Sequence, residues 1–291
     1  MTAIALDGLV KDYDGTRALD GVDLEVAPGE VFGFIGPNGA GKTTTMRILV
    51  DLLRPTAGTA RVLGEEPRAG GPALRARLGY LPGELVLDER ATARELLAHV
   101  ATVRGRGAER IAPLAERFDL DLDRRIGELS KGNKQKVGLV QAVMHRPELA
   151  LLDEPTSGLD PLLQREFLAL VREERDAGTT VFLSSHVLSE LEDVADRVAL
   201  IREGRIAVVD DVAGLRAAAG QRLDVEFEGA VPAGAMDGLD EVRIDGARAS
   251  GVWRGAPTPL LVRLAGLPVR HVTLRDRNLE EIVLDAYRGD A

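Results

Sequence analysis

Apolar residues near the amino terminus fall into short runs, Ile4 to Leu6, Val22 to Val26 and Val31 to Ile35, separated by the turn pairs Asp14-Gly15 and Pro28-Gly29. Runs of that length between such turns predict strands. A helix is expected from Lys42 to about Leu53, where Arg54-Pro55 stops it because proline lacks the N–H and clashes with the preceding turn. From about Leu87 to Pro147 the spacing becomes helical. Thr92 and Glu95 stand as a capping box before Leu96, Leu97, Val100 and Val103. Between Glu148 and Val209 strands and helices alternate. The strands are Leu149 to Leu152, Thr180 to Leu183, Val198 to Ile201 and, past a turn at Arg202 to Arg205, Ile206 to Val209; helices start at Pro161 and span Val187 to Val194. Such alternation implies a mostly parallel sheet covered by helices.

Beyond Asp211 the pattern changes. Ala217 to Gly220 reads as a linker. Short strands follow at Leu223 to Phe227, Val242 to Ile244 and Val269 to Leu274, with a short helix near Pro259 to Leu264 and a terminal helix near Leu279 to Tyr287. The expected organisation is one α/β domain over 1–212, with a helical insertion at about 85–147, and a small α+β domain over 213–291. The second is near the lower size limit for independent folding. No internal repeat is visible.

Composition narrows the picture. Of 291 residues, 45% are hydrophobic, 29% charged and only 3% aromatic, so the core must be aliphatic. The formal charge of −10 has the wrong sign for a non-specific grip on nucleic acid, so no nucleic-acid partner is expected. With no cysteine, disulfides and thiolate metal sites are excluded. The first residues carry Asp7, Lys11 and Asp12 and do not read as a signal peptide, and no apolar run approaches the roughly 20 residues that span a bilayer. Any membrane role is expected to be peripheral. Among 37 basic residues only Lys11, Lys42, Lys131, Lys134 and Lys136 are lysines, so a lysine at 42 suggests a site suited to a compact ammonium.

Gly36, Pro37, Asn38, Gly39, Ala40, Gly41, Lys42 and Thr43 fit G-x-x-x-x-G-K-[ST] between a strand and a helix, with Thr44 next. The glycines let successive N–H groups turn inward around phosphates, and the helix start adds its positive dipole end. Lys42 reaches the β- and γ-phosphates, and the Thr43 hydroxyl is placed for Mg²⁺. The chain is therefore expected to bind ATP with Mg²⁺ and to hydrolyse it. The strand Leu149 to Leu152 ends in Asp153 and Glu154. Asp153 is placed to hold magnesium through water, and Glu154 to polarise the attacking water as general base. Without a phosphate loop nearby, the pair would be only a solvated strand end. In Leu129 to Lys136, Ser130 reads as a helix N-cap and Gly132 as a point of close backbone approach.

With these motifs in this order, roughly residues 3 to 210 resemble the nucleotide-binding subunits of ATP-binding cassette (ABC) transporters. The resemblance implies a P-loop NTPase core with an antiparallel β edge and a helical subdomain. It implies a head-to-tail dimer in which Ser130 and Gly132 complete the site of the second ATP-binding subunit, a second copy in a homodimer. The commoner family form is Leu-Ser-Gly-Gly-Gln; Lys131 and Asn133 give a variant similar to exporter subunits. By the same resemblance Tyr13 stacks on adenine, Asp160 of Ser157-Gly158-Leu159-Asp160 lies at the dimer, and His186 contacts the γ-phosphate. Asp160, before Pro161, is also suited to cap a helix. His99, His145 and His271 match nothing and are expected to be structural or exposed.

One departure stands out. Gly79-Tyr80-Leu81-Pro82-Gly83-Glu84 lacks the glutamine that the family places there, and Glu84 is the candidate replacement as an oxygen ligand. Asn278 to Leu284 is similar to the tail of drug- and antibiotic-export ATPases, and equally to a generic amphipathic helix. The implied function is an ATP-hydrolysing exporter subunit, peripheral at the cytoplasmic face of the membrane, driving an integral-membrane permease on a separate chain. The alternatives are a soluble ABC ATPase of translation or DNA repair and a small-molecule phosphotransferase. The first usually carries a second cassette or a long coiled coil, and the second leaves Ser130, Asp160 and His186 unexplained.

Overall fold

The computed structural model describes residues 2–186, 191–277 and 281, with the side chains of 216–219 left aside. The chain divides into two compact units, Met1–Asp210 and Asp211–Ala291.

In the first unit, β1 (Ile4–Tyr13) and β2 (Thr16–Val26) form an antiparallel hairpin around Asp14 and Gly15. They are longer than the apolar runs suggested, because the ladder carries them through polar positions such as Asp12 and Arg17, which pair at 2.9 Å. β4 (Ala57–Val62) adds to the other edge of β1. The main sheet has the order β5-β6-β7-β3-β8-β9, built from β3 (Val31–Ile35), β5 (Leu78–Leu81), β6 (Leu149–Asp153), β7 (Thr180–Ser185), β8 (Arg197–Arg202) and β9 (Arg205–Asp211). The first five of these strands in that order pair in parallel. β3, β6 and β7 are buried along their whole length, as expected of strands covered on both faces.

α1 (Lys42–Leu49) ends sooner than Arg54-Pro55 predicts. Asp51 takes a left-handed φ of 60°, and the N–H groups of Leu52 and Leu53 turn back to the Arg47 carbonyl at 2.9 and 3.1 Å. A short polar side chain tolerates that conformation, so the helix stops before the proline acts. The unforeseen α2 (Pro67–Ala76) hides its periodicity behind Gly70, Gly71 and Pro72, with Gly71 at a φ of 54° inside it. The helical insertion holds α3 (Ala93–Arg104), α4 (Ala108–Arg117), a 3₁₀ turn at Ile126–Glu128 and α5 (Lys131–Val143). Both arms of the Thr92–Glu95 capping box form at the start of α3. α6 (Pro161–Asp176) receives α4 through ion pairs of Arg110 with Glu174 and of Arg117 with Glu173 and Glu166. The expected helix at 187–194 lies partly outside the described residues.

His145 is buried, and His99 and His271 are exposed. An Arg104 guanidinium nitrogen lies 2.9 Å from His145 Nε2. Burial first, and then the Arg104 charge, push the His145 pKa down to about 4 from the ordinary 6.5. The folded ring stays neutral where the unfolded one takes a proton. Its contribution is therefore complete above the unfolded value and is lost as pH falls from about 6.5 toward 4, by on the order of 3 kcal/mol. Melting curves at pH 7 and pH 5 are expected to show this acid loss, with a flatter pH dependence for His145→Gln.

In the second unit the expected linker is helical, α7 (Val212–Ala219). Asp211 caps it by accepting from the Gly214 N–H, and its alanine-rich sequence favours the helix. β10 (Gln221–Phe227), β11 (Asp240–Asp245), β12 (Arg248–Trp253) and β13 (Val269–Asp276) form an antiparallel sheet in the order β11-β12-β10-β13. Leu223, Val225 and Phe227 share a core with Leu260 and Leu264 of α8 (Pro257–Ala265). β12 is not among the expected strands, because Ala249, Ser250 and Gly251 dilute its apolar pattern. The expected terminal helix near Leu279 to Tyr287, and with it the tail-like run Asn278 to Leu284, lies outside the described residues apart from Glu281.

Candidate functional site

β3 ends at Ile35, and the chain then turns through Gly36 to Gly41 before α1 begins. A Cβ on Gly36 would come 2.3 Å from the Ile201 carbonyl oxygen, and one on Gly41 2.8 Å from that of Ala18. Gly41 also holds a φ of 112°, so both positions need glycine. No side chain caps α1, which leaves its first N–H groups for an anion. Pro37, Asn38 and Gly39 are exposed, Ala40 is buried, and Thr43 and Thr44 are half-buried. Buried Lys42 donates from Nζ to the Gly36 carbonyl at 2.6 Å and to that of Pro37 at 3.3 Å. The same Nζ lies 3.3 Å from Glu154 Oε1.

Asp153, fully buried at the end of β6, accepts a hydrogen bond at Oδ1 from Ser184 Oγ at 2.6 Å. Its Oδ2 is buried without a hydrogen-bond partner and faces Gly83, where a Cβ would lie 3.1 Å away. Glu154 Oε2 lies 2.6 Å from His186 Nδ1, and the Glu154 N–H donates to Ser184 Oγ at 3.0 Å. Lys42, Asp153, Glu154 and His186 thus gather beyond the carboxyl ends of β3, β6 and β7. Glu84, on the segment after β5, is exposed.

The other expected residues make their contacts elsewhere. Tyr13, 41% exposed at the end of β1, lies under Lys11 Nζ, 5.1 Å from the ring centroid. Ser130 caps α5 by accepting from the Asn133 N–H at 3.3 Å. A Cβ on Gly132 would come 2.7 Å from the Gly158 carbonyl oxygen, so the start of α5 lies against the turn before α6. Asp160 caps α6, accepting from the N–H groups of Leu162 and Leu163 at 3.0 Å each. Two residues to which the sequence assigns no role join the site, Ser184 and Gln135. Both are buried, but so are the polar side chains of Lys136 beside Gln135 and of Ser185 beside Ser184, so no local signal marks them.

The unbonded Oδ2 of Asp153, with open glycine beside it, suits a hard divalent cation. Among the described residues no three His, Cys, Asp or Glu side chains gather as a metal cluster.

Residues 19–157 match the sequence model of the ABC transporter family. Over 308 aligned residues the chain is 36% identical to a daunorubicin resistance ATP-binding protein of Streptomyces coeruleorubidus, covering 99% of this chain and 97% of that one. The chain belongs to the ABC transporter family. This ABC protein is also 38% identical over 209 residues to Nod factor export ATP-binding protein I of Paraburkholderia xenovorans, covering 70% of this chain and 69% of that protein. A solved ATP-binding subunit of an ABC transporter superposes with a TM-score of 0.70 at 32% identity, covering 74% of this chain and 92% of that one. As an ABC ATP-binding protein the chain is an ATPase, with the P-loop α/β fold that its motifs imply. These relatives do not favour a soluble ABC ATPase of translation or repair.

Proposed function

We propose that this ABC ATPase drives export through a separate integral-membrane permease, as a head-to-tail homodimer peripheral to the cytoplasmic face of the membrane. The observation that carries the reading is the convergence of Lys42, Glu154 and His186 at the phosphate loop. Residues 1–212, with the helical part at about 85–147, serve as the ATP-binding domain, and 213–291 as an accessory domain. The names of the relatives, resistance and export proteins, support export, as does the signature variant at Lys131 and Asn133. Among the described residues no helix is long and apolar enough to cross a membrane, which favours a separate permease.

In this mechanism the N–H groups of Gly39 to Thr44 hold the phosphates of ATP, and Lys42 reaches the γ-phosphate. The Thr43 hydroxyl and Asp153 Oδ2 would hold Mg²⁺, Asp153 directly or through water. When bound, the cation neutralises charge on the β- and γ-phosphates. Ser184 fixes Oδ1 and so leaves Oδ2 for that task. Glu154 accepts a proton from the water whose oxygen attacks the γ-phosphorus; the bond to the β–γ bridging oxygen breaks and ADP leaves. His186 orients the Glu154 carboxylate and faces the γ-phosphate. Tyr13 stacks on the adenine. Ser130 and Gly132 close the nucleotide site of the second copy, with Asp160 at the same dimer seam.

Titration with a fluorescent ATP analogue and Mg²⁺ tests the site. Lys42→Ala is expected to weaken binding by about 10- to 100-fold, the worth of charge-assisted hydrogen bonds to phosphate. Unchanged affinity would overturn the reading.

A further inference from the structure

Glu154 carries the hydrolytic step in the reading above, and its backbone sits at a φ of 50°. That left-handed region is unfavourable for a residue with a Cβ and persists only where the surroundings impose it. Here the Ser157 N–H closes the local turn on the Glu154 carbonyl at 3.1 Å, and two side chains act on the same backbone from other elements. The Glu154 N–H donates to Ser184 Oγ at 3.0 Å. The Glu154 carbonyl accepts from Gln135 Nε2 at 3.4 Å, and the Pro155 carbonyl accepts from the same nitrogen at 3.2 Å. A side-chain amide nitrogen carries two hydrogens, one for each of these successive carbonyls. Since both partners are acceptors, the orientation of the amide follows from the network.

Gln135 is only 4% exposed and lies on α5, little more than one turn beyond the Ser130 cap. Nothing in its position is needed to build that cap, which the Ser130 hydroxyl makes alone with the Asn133 N–H. Its amide is instead spent on the main chain that aims the Glu154 carboxylate between Lys42 and His186.

We infer that Gln135 is a positioning residue for Glu154, holding its strained backbone from the helix that Ser130 caps. The inference rests on Glu154 being the general base. One helix then carries both the segment offered to the second copy's nucleotide and the amide that sets this copy's own base. A displacement of α5 reaches Glu154 through a single side chain.

Gln135→Leu keeps the bulk of the side chain and removes the donor; Gln135→Met repeats the test with an unbranched chain should the leucine variant misfold. In the full-length protein kcat is expected to fall at least tenfold, with KM and the ATP concentration that half-saturates dimerisation within twofold of wild type. In a Glu154→Gln background the same change is expected to cost nothing more. A kcat within twofold of wild type would overturn the inference. So would weakened dimerisation with unchanged kcat per dimer, which marks a role confined to the Ser130 end of the helix. Failure of the underlying reading is separate, because Glu154→Gln would then hydrolyse ATP at the wild-type rate whatever Gln135 does.

Discussion

Glu154→Gln is expected to lower the rate of ATP hydrolysis by about 10²- to 10⁴-fold, the usual contribution of a positioned general base. Glutamine has the same shape as glutamate, so it still fits between Lys42 and His186, which lie 3.3 and 2.6 Å from the carboxylate oxygens. What it lacks is a basic oxygen for the proton of the attacking water. The loss should therefore appear in phosphate release, with nucleotide affinity retained. A variant that hydrolyses ATP at nearly the wild-type rate would remove Glu154 from the chemistry.

The largest stability effect is expected at the seam between α4 and α6. Arg110 and Glu174 form an ion pair with side chains 16% and 7% exposed, and Arg110 is held in place by a 2.8 Å bond to the Val143 carbonyl. Glu174→Ala would leave a guanidinium away from water and without its counter-charge. Breaking such a pair costs about 3–5 kcal/mol, so Tm should fall on the order of 10 °C. The neighbouring Arg117–Glu173 pair spans 2.6 Å, but Glu173 is 60% exposed. Solvent screens it, and Glu173→Ala should cost less than about 1 kcal/mol. Thermal melts followed by circular dichroism distinguish the two; equal effects would mean that burial does not govern the seam.

The parts legible in the sequence are those whose signal is local. The glycines and lysine of the phosphate loop, the Thr92–Glu95 capping box, the Asp160-Pro161 helix start and the apolar runs of β3 and β6 each state their structure within a few residues. Elements decided by distant partners were hidden. β4 and β12 have small or polar residues and exist because β1 and β10 offer them edges. The early end of α1 turns on one left-handed aspartate, which competes with a proline downstream.

The same division runs through the site. Asp153 and Glu154 were readable from the strand that bears them. His186 came only through the family resemblance, since nothing local announces its 2.6 Å contact with Glu154. Ser184 and Gln135 reach the acidic pair from other elements, β7 and α5, and their hydrogen bonds become visible only when the chain is folded.

In the proposed mechanism two copies close around ATP, each completing the other's site. Static light scattering on Glu154→Gln tests it most directly, with and without saturating ATP and Mg²⁺. A monomer mass is expected without nucleotide and twice that mass with ATP, reverting when Lys42→Ala is added. A Glu154→Gln protein that binds ATP fully, hydrolyses none and stays at the monomer mass would contradict it.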